Sequence, residues 1–350
     1  MIQFVDPDDR DLLLVLEGDR YVSPAGRSYP IIDGIPRFVA GRDRAQAQTA
    51  ASFGYKWTKQ AHWGFKPGHD EVIWNFWREI FRWEGPQDLR ELMEGKIVLD
   101  AGCGSGASLN QFVRWPAVVV GVDISSAIDT CRKNFEGQPN LALAQADVTR
   151  LPFPDESFDV VWSHGVLHHT PDTFESLKSV ARHARVDGLV IFYVYVRKAP
   201  IREFADDHIR SIVSPLPPEE AWRRMEALTE FSRSLAGIKV ELTVERDVPE
   251  LGIKRGRYPL QRFLYYNFLK CYWNDDLSFD DNVHVNFDWY HPAYAHRHSA
   301  EEVREWLATL DLRQEHMHVS DSGIAVVARK RRPRTGRAGH IGVARPAGAD

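Results

Sequence analysis

The chain has 350 residues, 43% of them hydrophobic and 27% charged. This is the balance of a soluble globular protein of one large or two ordinary domains; it excludes a disordered or fibrous chain, and no apolar run reaches the roughly 18 residues that a membrane-spanning helix needs. The net charge of −5 is uneven: seven basic residues and one acidic residue lie from Arg329 onward, and the body keeps 37 basic against 48 acidic side chains, a net of −11 that matches a phosphate backbone poorly.

In chain order, residues 1–40 read as a small β appendage, with short runs at Leu12–Leu16, Arg20–Val22 and Ser28–Ile32 broken by Gly18-Asp19 and Pro24-Ala25-Gly26. Residues 41–95 make a helical and aromatic cap. Its first part is a polar connector that turns aromatic at Phe53–Trp57; Val72, Ile73, Phe76, Trp77, Ile80 and Phe81 then recur at helical spacing over Asp70–Trp83. Over 96–197 apolar strands alternate with helices. The strands are Ile97–Asp100, Ala117–Asp123, Leu141–Ala146, Phe158–Ser163 and Gly188–Val196, and the helices Ala107–Trp115, Ser125–Phe135 and Asp172–Arg185. That pattern predicts an α/β fold, a doubly wound and mostly parallel sheet covered on both faces.

The alternation stops over 198–298. A stretch of that length does not stay structureless in a compact domain, so it reads as an inserted cap subdomain, with a helix at Glu219–Ala236, a β run at Val240–Val244 and aromatic residues from Tyr258 to Tyr294. Residues 299–330 return to the core. Ser299 caps a helix over Ala300–Leu310, and the runs Leu312–Val319 and Ile324–Arg329 are joined by so short a turn that they must be antiparallel. The Arg-, Pro- and Gly-rich tail, 331–350, reads as disordered. Cys103, Cys131 and Cys271 stand singly, which excludes a disulfide framework and a cysteine-built zinc site. With an acidic N-terminus that lacks an apolar signal core, the expected compartment is the cytoplasm.

The chemistry centres on Val98-Leu99-Asp100-Ala101-Gly102-Cys103-Gly104-Ser105-Gly106, a strand running into a glycine-rich turn. Ligands of doubly wound sheets sit outside such strand ends. Asp100 stands where a pyrophosphate would be repelled and a cationic group welcomed. Asp123 ends the second strand, where a carboxylate can accept both ribose hydroxyls; Asp147 follows the third, where one can accept an adenine amino group. Three carboxylates at three successive strand ends describe an adenine nucleoside with a cationic amino-acid tail and no phosphate, which is S-adenosylmethionine.

With VLDAGCGSG, GVDIS, AQADVTRLPFPDESFDVVWSHGVLHH and HRHSAEEVREWLATLDL, the sequence resembles the class I S-adenosylmethionine-dependent methyltransferases of the small-molecule type. The resemblance implies a seven-stranded Rossmann-like sheet with one antiparallel strand. It also implies cofactor contacts from Asp100, Gly102, Cys103, Gly104, Gly106, Asp123, Ile124, Asp147, Val148, Ser163 and His164, and S-adenosylhomocysteine as product. Tyr29-Pro30-Ile31-Ile32-Asp33-Gly34-Ile35-Pro36 looks like the end of a Trm112-like zinc-ribbon module, but the cysteines of that module are missing, so zinc binding is not carried over.

Methyl transfer rests mainly on positioning and exclusion of water. A general base is needed only for a nucleophile that arrives protonated; His168, His169 and His291 are the candidates, with Tyr55, Trp57 and Tyr290 as candidate acceptor contacts and no metal site. The expected partner is a small-molecule acceptor, a secondary metabolite or glycan, with neither membrane nor nucleic acid. An RNA or protein methyltransferase and a non-methylating S-adenosylmethionine binder are the competing readings; the oligomeric state is open.

Overall fold

The computed structural model describes residues 2–39 and 43–332; of the segment expected to be disordered, all but Arg331 and Arg332 lies outside the described residues. A seven-stranded sheet runs through the molecule in the order Leu312–Val319, Gly323–Lys330, Ala184–Tyr195, Phe158–His164, Ile97–Ala101, Val118–Asp123, Leu141–Gln145. Five neighbouring strands are parallel, and Gly323–Lys330 alone runs against its neighbours on both sides. The fold is thus the doubly wound, mostly parallel sheet that the alternation predicts. Chain order reverses between Ile97–Ala101 and Phe158–His164, which opens a crevice at their carboxyl ends.

Apolar residues of the strands point to both faces, and each face has its own core. One is dominated by aromatic rings. Trp162 is fully buried with Trp77, Phe81 and Phe112 at ring distances of 5.1, 5.7 and 5.8 Å. Trp77 and Phe81 come from the helix His69–Phe81, whose apolar stripe seats it on the sheet. The opposite core holds Phe153, Phe158 and Phe192 together with Phe4, Tyr29 and Phe38 from the N-terminal strands.

Those N-terminal strands form a two-stranded and a four-stranded antiparallel sheet. The run expected over Leu12–Leu16 is divided: Leu14 turns inward, its N–H bonded to Phe4 O at 3.0 Å, and separates Asp9–Leu13 from Val15–Glu17. The segment grips the edge of the main sheet, with Phe38 N–H on Gln145 O at 2.7 Å and Arg37 bridged to Gln145.

Three local expectations are corrected. The polar connector is an α-helix, Arg44–Lys59, capped by the Asp43 carboxylate on Gln46 N–H at 2.7 Å. The helix expected over Ala107–Trp115 shrinks to Leu109–Phe112 because turns follow the glycine loop. The fifth strand begins at Ala184, with Asp187 in a left-handed conformation where the register shifts. Residues 198–298 fold into the helices Pro200–Val213, Pro218–Gly237, Leu260–Asn267 and Phe279–Tyr290 and a hairpin pairing Glu241–Val244 with Gly256–Pro259.

Trp162→Ala should destabilise the protein by about 3–5 kcal/mol, the usual cost of emptying a buried aromatic site. Urea unfolding monitored by circular dichroism would measure it.

Candidate active site

The crevice opens into a cavity of about 640 Å³. At one end lies the turn after Ile97–Ala101. Gly102 has φ +98°, and a Cβ there would lie 2.3 Å from the Val166 side chain; at Gly104, φ +55°, it would meet the Trp57 indole at 2.8 Å. Only glycine fits these two positions. Asp123 accepts Gly104 N–H at 3.0 Å, Ser125 N–H at 2.8 Å and Ser125 O–H at 2.6 Å, which fixes its carboxylate against the turn. Burial raises its pKa against the pull of these donors and of Lys56. Asp147 is oriented by Gln46 Nε2 at 2.6 Å and Thr149 N–H at 2.9 Å. Asp100 is buried with Oδ2 unpartnered, its pKa pushed well up by burial and by the neighbouring Asp123.

Asp123 and Asp147 face the cavity with acceptor oxygens that suit the hydroxyl and amino donors of a nucleoside. The glycine turn beside them leaves no side chain in the way. The residues present therefore fit S-adenosylmethionine, with Asp123 and Asp147 as acceptors.

Of the residues singled out from sequence, Gly102, Cys103, Gly104, Asp123, Ile124, Asp147, Val148, His164, His169 and Trp57 line this cavity. Burial and the Cys131 thiol push the Cys103 thiol well up, so it stays protonated. Asp100 and Gly106 stand behind the lining; a Cβ on Gly106 would strike Phe135 at 2.3 Å, so this glycine serves packing.

Five assignments are corrected because their polar atoms are spent or shut away elsewhere. Ser163 donates to Ala101 O on the adjacent strand at 2.9 Å. His168 is fully buried with its ring 3.7 Å from that of Tyr195 and does not reach the cavity. His291 lies between Ser52 Oγ at 2.8 Å and Leu216 O at 3.0 Å. Tyr290 donates to Asp206 at 2.7 Å, and Tyr55 packs on Trp222 and Phe287. All five lie outside the lining.

The structure adds residues that the sequence did not mark. Lys56, buried on the helix Arg44–Lys59, ion-pairs with Asp288 of Phe279–Tyr290, and Tyr195 O–H donates to the same carboxylate at 2.9 Å. Burial opposes the charge on Asp288, but Lys56, His169 and Lys270 hold it below the usual carboxylate range. His169 places Nδ1 2.6 Å from Tyr294 O, so Nδ1 carries the hydrogen and Nε2 keeps a free lone pair. Burial lowers its pKa to about 4. Phe76, Tyr193, Tyr265, Tyr266, Tyr272, Arg262 and Lys270 complete the chamber farther from the turn. Asp43 followed by an alanine-rich run could have revealed the helix that carries Lys56; nothing local marks Asp288 or Lys270.

Residues 99–192 match the model of the methyltransferase domain family, a match that stops short of the insertion. The uncharacterized methyltransferase YcgJ of Bacillus subtilis is 27% identical over 173 residues, 47% of this chain and 67% of that protein. A fatty-acid O-methyltransferase of Mycolicibacterium smegmatis is 37% identical over 105 residues, 29% of this chain and 37% of that one. A tRNA U34 carboxymethyltransferase of Pseudoalteromonas atlantica is 32% identical over 124 residues, 34% of this chain and 38% of that one. The chain thus spans between 37% and 67% of these relatives' lengths. The sheet around the switch point and this match agree: residues 99–192 are similar to the methyltransferase domain family and lie in a doubly wound, mostly parallel sheet.

Proposed function

We propose that the chain transfers the methyl group of S-adenosylmethionine to an oxygen, nitrogen or carbon atom of a small organic acceptor. The observation that carries this reading is the continuity of one cavity, which joins Asp123 and Asp147 at one end to an aromatic chamber roofed by the insertion at the other. Its size suits two small molecules held in contact, and its walls are largely apolar, as ligand sites are.

S-adenosylmethionine supplies a methyl group made electrophilic by its sulfonium. The chain supplies the rest. Asp123 accepts the ribose hydroxyls and Asp147 the adenine amino group, with Gln46 and Ser125 keeping the two carboxylates in place. Phe76, Trp57 and Tyr193 exclude water from the junction, where a desolvated nucleophile reacts faster. His169 takes the acceptor's proton on Nε2, the nitrogen left free by the Tyr294 carbonyl. Tyr195, its phenol pushed well up by burial and by Asp288, stays a donor.

Incubation with methyl-labelled S-adenosylmethionine and two separate pools, a small-metabolite extract and total RNA, tests the reading. Label should enter the metabolite pool with release of S-adenosylhomocysteine. Label in the RNA, or binding without any release, would overturn it.

Asp123→Ala should weaken S-adenosylhomocysteine binding by about 1.5–3 kcal/mol for each charge-assisted hydrogen bond lost; calorimetric titration showing unchanged affinity would reject the ribose assignment.

A base lowered to about 4 is already neutral throughout the physiological range. kcat should therefore be level from pH 6 to 9 with respect to this group and decline only toward pH 4. A tenfold fall in kcat between pH 7 and 6 would contradict a base held so low.

A further inference from the structure

Behind the lining of the acceptor chamber, around Lys270, cations outnumber carboxylates. The indole of Trp289 is flanked by Lys270 Nζ at 4.8 Å, Lys198 Nζ at 5.4 Å and the Arg202 guanidinium at 5.4 Å from its ring centre. Two carboxylates stand near them, and both are engaged. Asp206 accepts Arg202 Nε at 2.5 Å, Trp289 Nε1 at 2.9 Å and Tyr290 O–H at 2.7 Å. Asp288 holds Lys56 and Tyr195. Lys198 is satisfied by the backbone carbonyls of Asp321 and Ser322. Lys270 is left over. It is 7% exposed and lines the cavity, and its ammonium has no hydrogen-bond or ion-pair partner among the described residues. Its backbone is fixed, N–H on Asp206 at 2.9 Å and C=O under Tyr290 O–H at 3.0 Å, so the side chain is aimed by a rigid frame. Arg262 lines the same chamber, also without an ion pair among the described residues, beside Tyr265.

A buried ammonium whose nearest carboxylates, Asp288 and Asp206, are already hydrogen-bonded to other donors keeps its own donors free for a ligand. We propose that Lys270 anchors a carboxylate of the methyl acceptor, which makes the acceptor an organic acid with an apolar or aromatic body. This rests on the reading of the cavity as a methyl-transfer site. The tyrosines around Arg262 face the body of the acid, and Lys270 and Asp288 sort its polar ends: the carboxylate goes to the ammonium and is repelled from the aspartate.

The groups facing Lys270 are Asp288 and Asp206, which favour its charge, and Arg202, Lys56 and Lys198, which oppose it; burial dominates and lowers its pKa to about 7. The free protein therefore carries the ammonium below pH 7 and loses it above, so a bound acid should hold on less tightly as pH rises.

The test uses the full chain saturated with S-adenosylhomocysteine, with tryptophan fluorescence reporting the binding of cinnamate and octanoate against cinnamyl alcohol and octanol. At pH 6 at least one acid should bind about tenfold or more tightly than its alcohol, a difference of about 1.4 kcal/mol. Its Kd should rise by up to about tenfold per pH unit above 7. Lys270→Met should abolish both the preference and the pH dependence, Lys270→Arg should keep the preference and flatten the pH dependence, and both should bind S-adenosylhomocysteine normally. An absent preference, or one that survives Lys270→Met, would overturn the anchor while leaving the cofactor reading intact. Failure of S-adenosylhomocysteine to bind the unmodified chain would instead overturn the cofactor reading and the anchor with it.

Discussion

The junction of Lys56, Asp288 and Tyr195 is the interaction on which the arrangement of the cavity depends. Lys56 comes from a helix near the N-terminus, Tyr195 from the sheet, and Asp288 from the insertion, 232 residues beyond Lys56 and 93 beyond Tyr195. Aromatic contacts join the segments in pairs, Tyr195 with Trp289 at 4.5 Å and Tyr55 with Phe287 at 6.0 Å, but neither ring pair ties all three together. One carboxylate does, by accepting from both. Desolvating an ammonium and a carboxylate together is expensive, and leaving either alone is worse, by about 3–5 kcal/mol when one partner of a buried pair is removed. The pair thereby favours the arrangement in which the three segments meet around the chamber.

That closure produces a cavity with a polarity. Carboxylates gather at the strand tips, where Asp123 and Asp147 face the cavity, and Lys270 and Arg262 line it farther from the glycine turn. A cationic nucleoside and an anionic acceptor would each be drawn to its own end and meet in the apolar middle. Orientation of the two molecules would then come from long-range charge as well as from shape.

The parallel sheet, its switch point and the glycine-turn end of the cavity were legible because they obey local rules. Apolar runs of strand length alternate with helices, and VLDAGCGSG, Asp123 and Asp147 lie at strand ends that the sequence itself delimits. The acceptor end was not legible, because Lys56, Asp288 and Lys270 acquire their meaning only from segments distant in the chain, 64 residues for Lys270 and Asp206 and 232 for Lys56 and Asp288. His291 and Tyr290 misled for the same reason. Both sit in an aromatic, histidine-rich stretch that looks like the mouth of a site, but the helix Phe279–Tyr290 presents Asp288 to the cavity and turns Tyr290 onto Asp206. About half a turn of helix separates Asp288 from Tyr290 and sends them to opposite faces. His168 and His169 differ by a single position, and only the 3-10 turn Leu167–His169 decides which ring reaches the cavity.

The N-terminal strands touch none of this chemistry, yet they occupy the outer margin of Leu141–Gln145. A sheet margin is a row of unsatisfied amides and carbonyls, open to any extended chain that passes. Here Arg37 and Phe38 take up that margin at Gln145, and Phe4, Tyr29 and Phe38 cover Phe153 behind it. Loss of this segment would uncover Phe153 and leave the margin at Gln145 open to pairing with another extended chain.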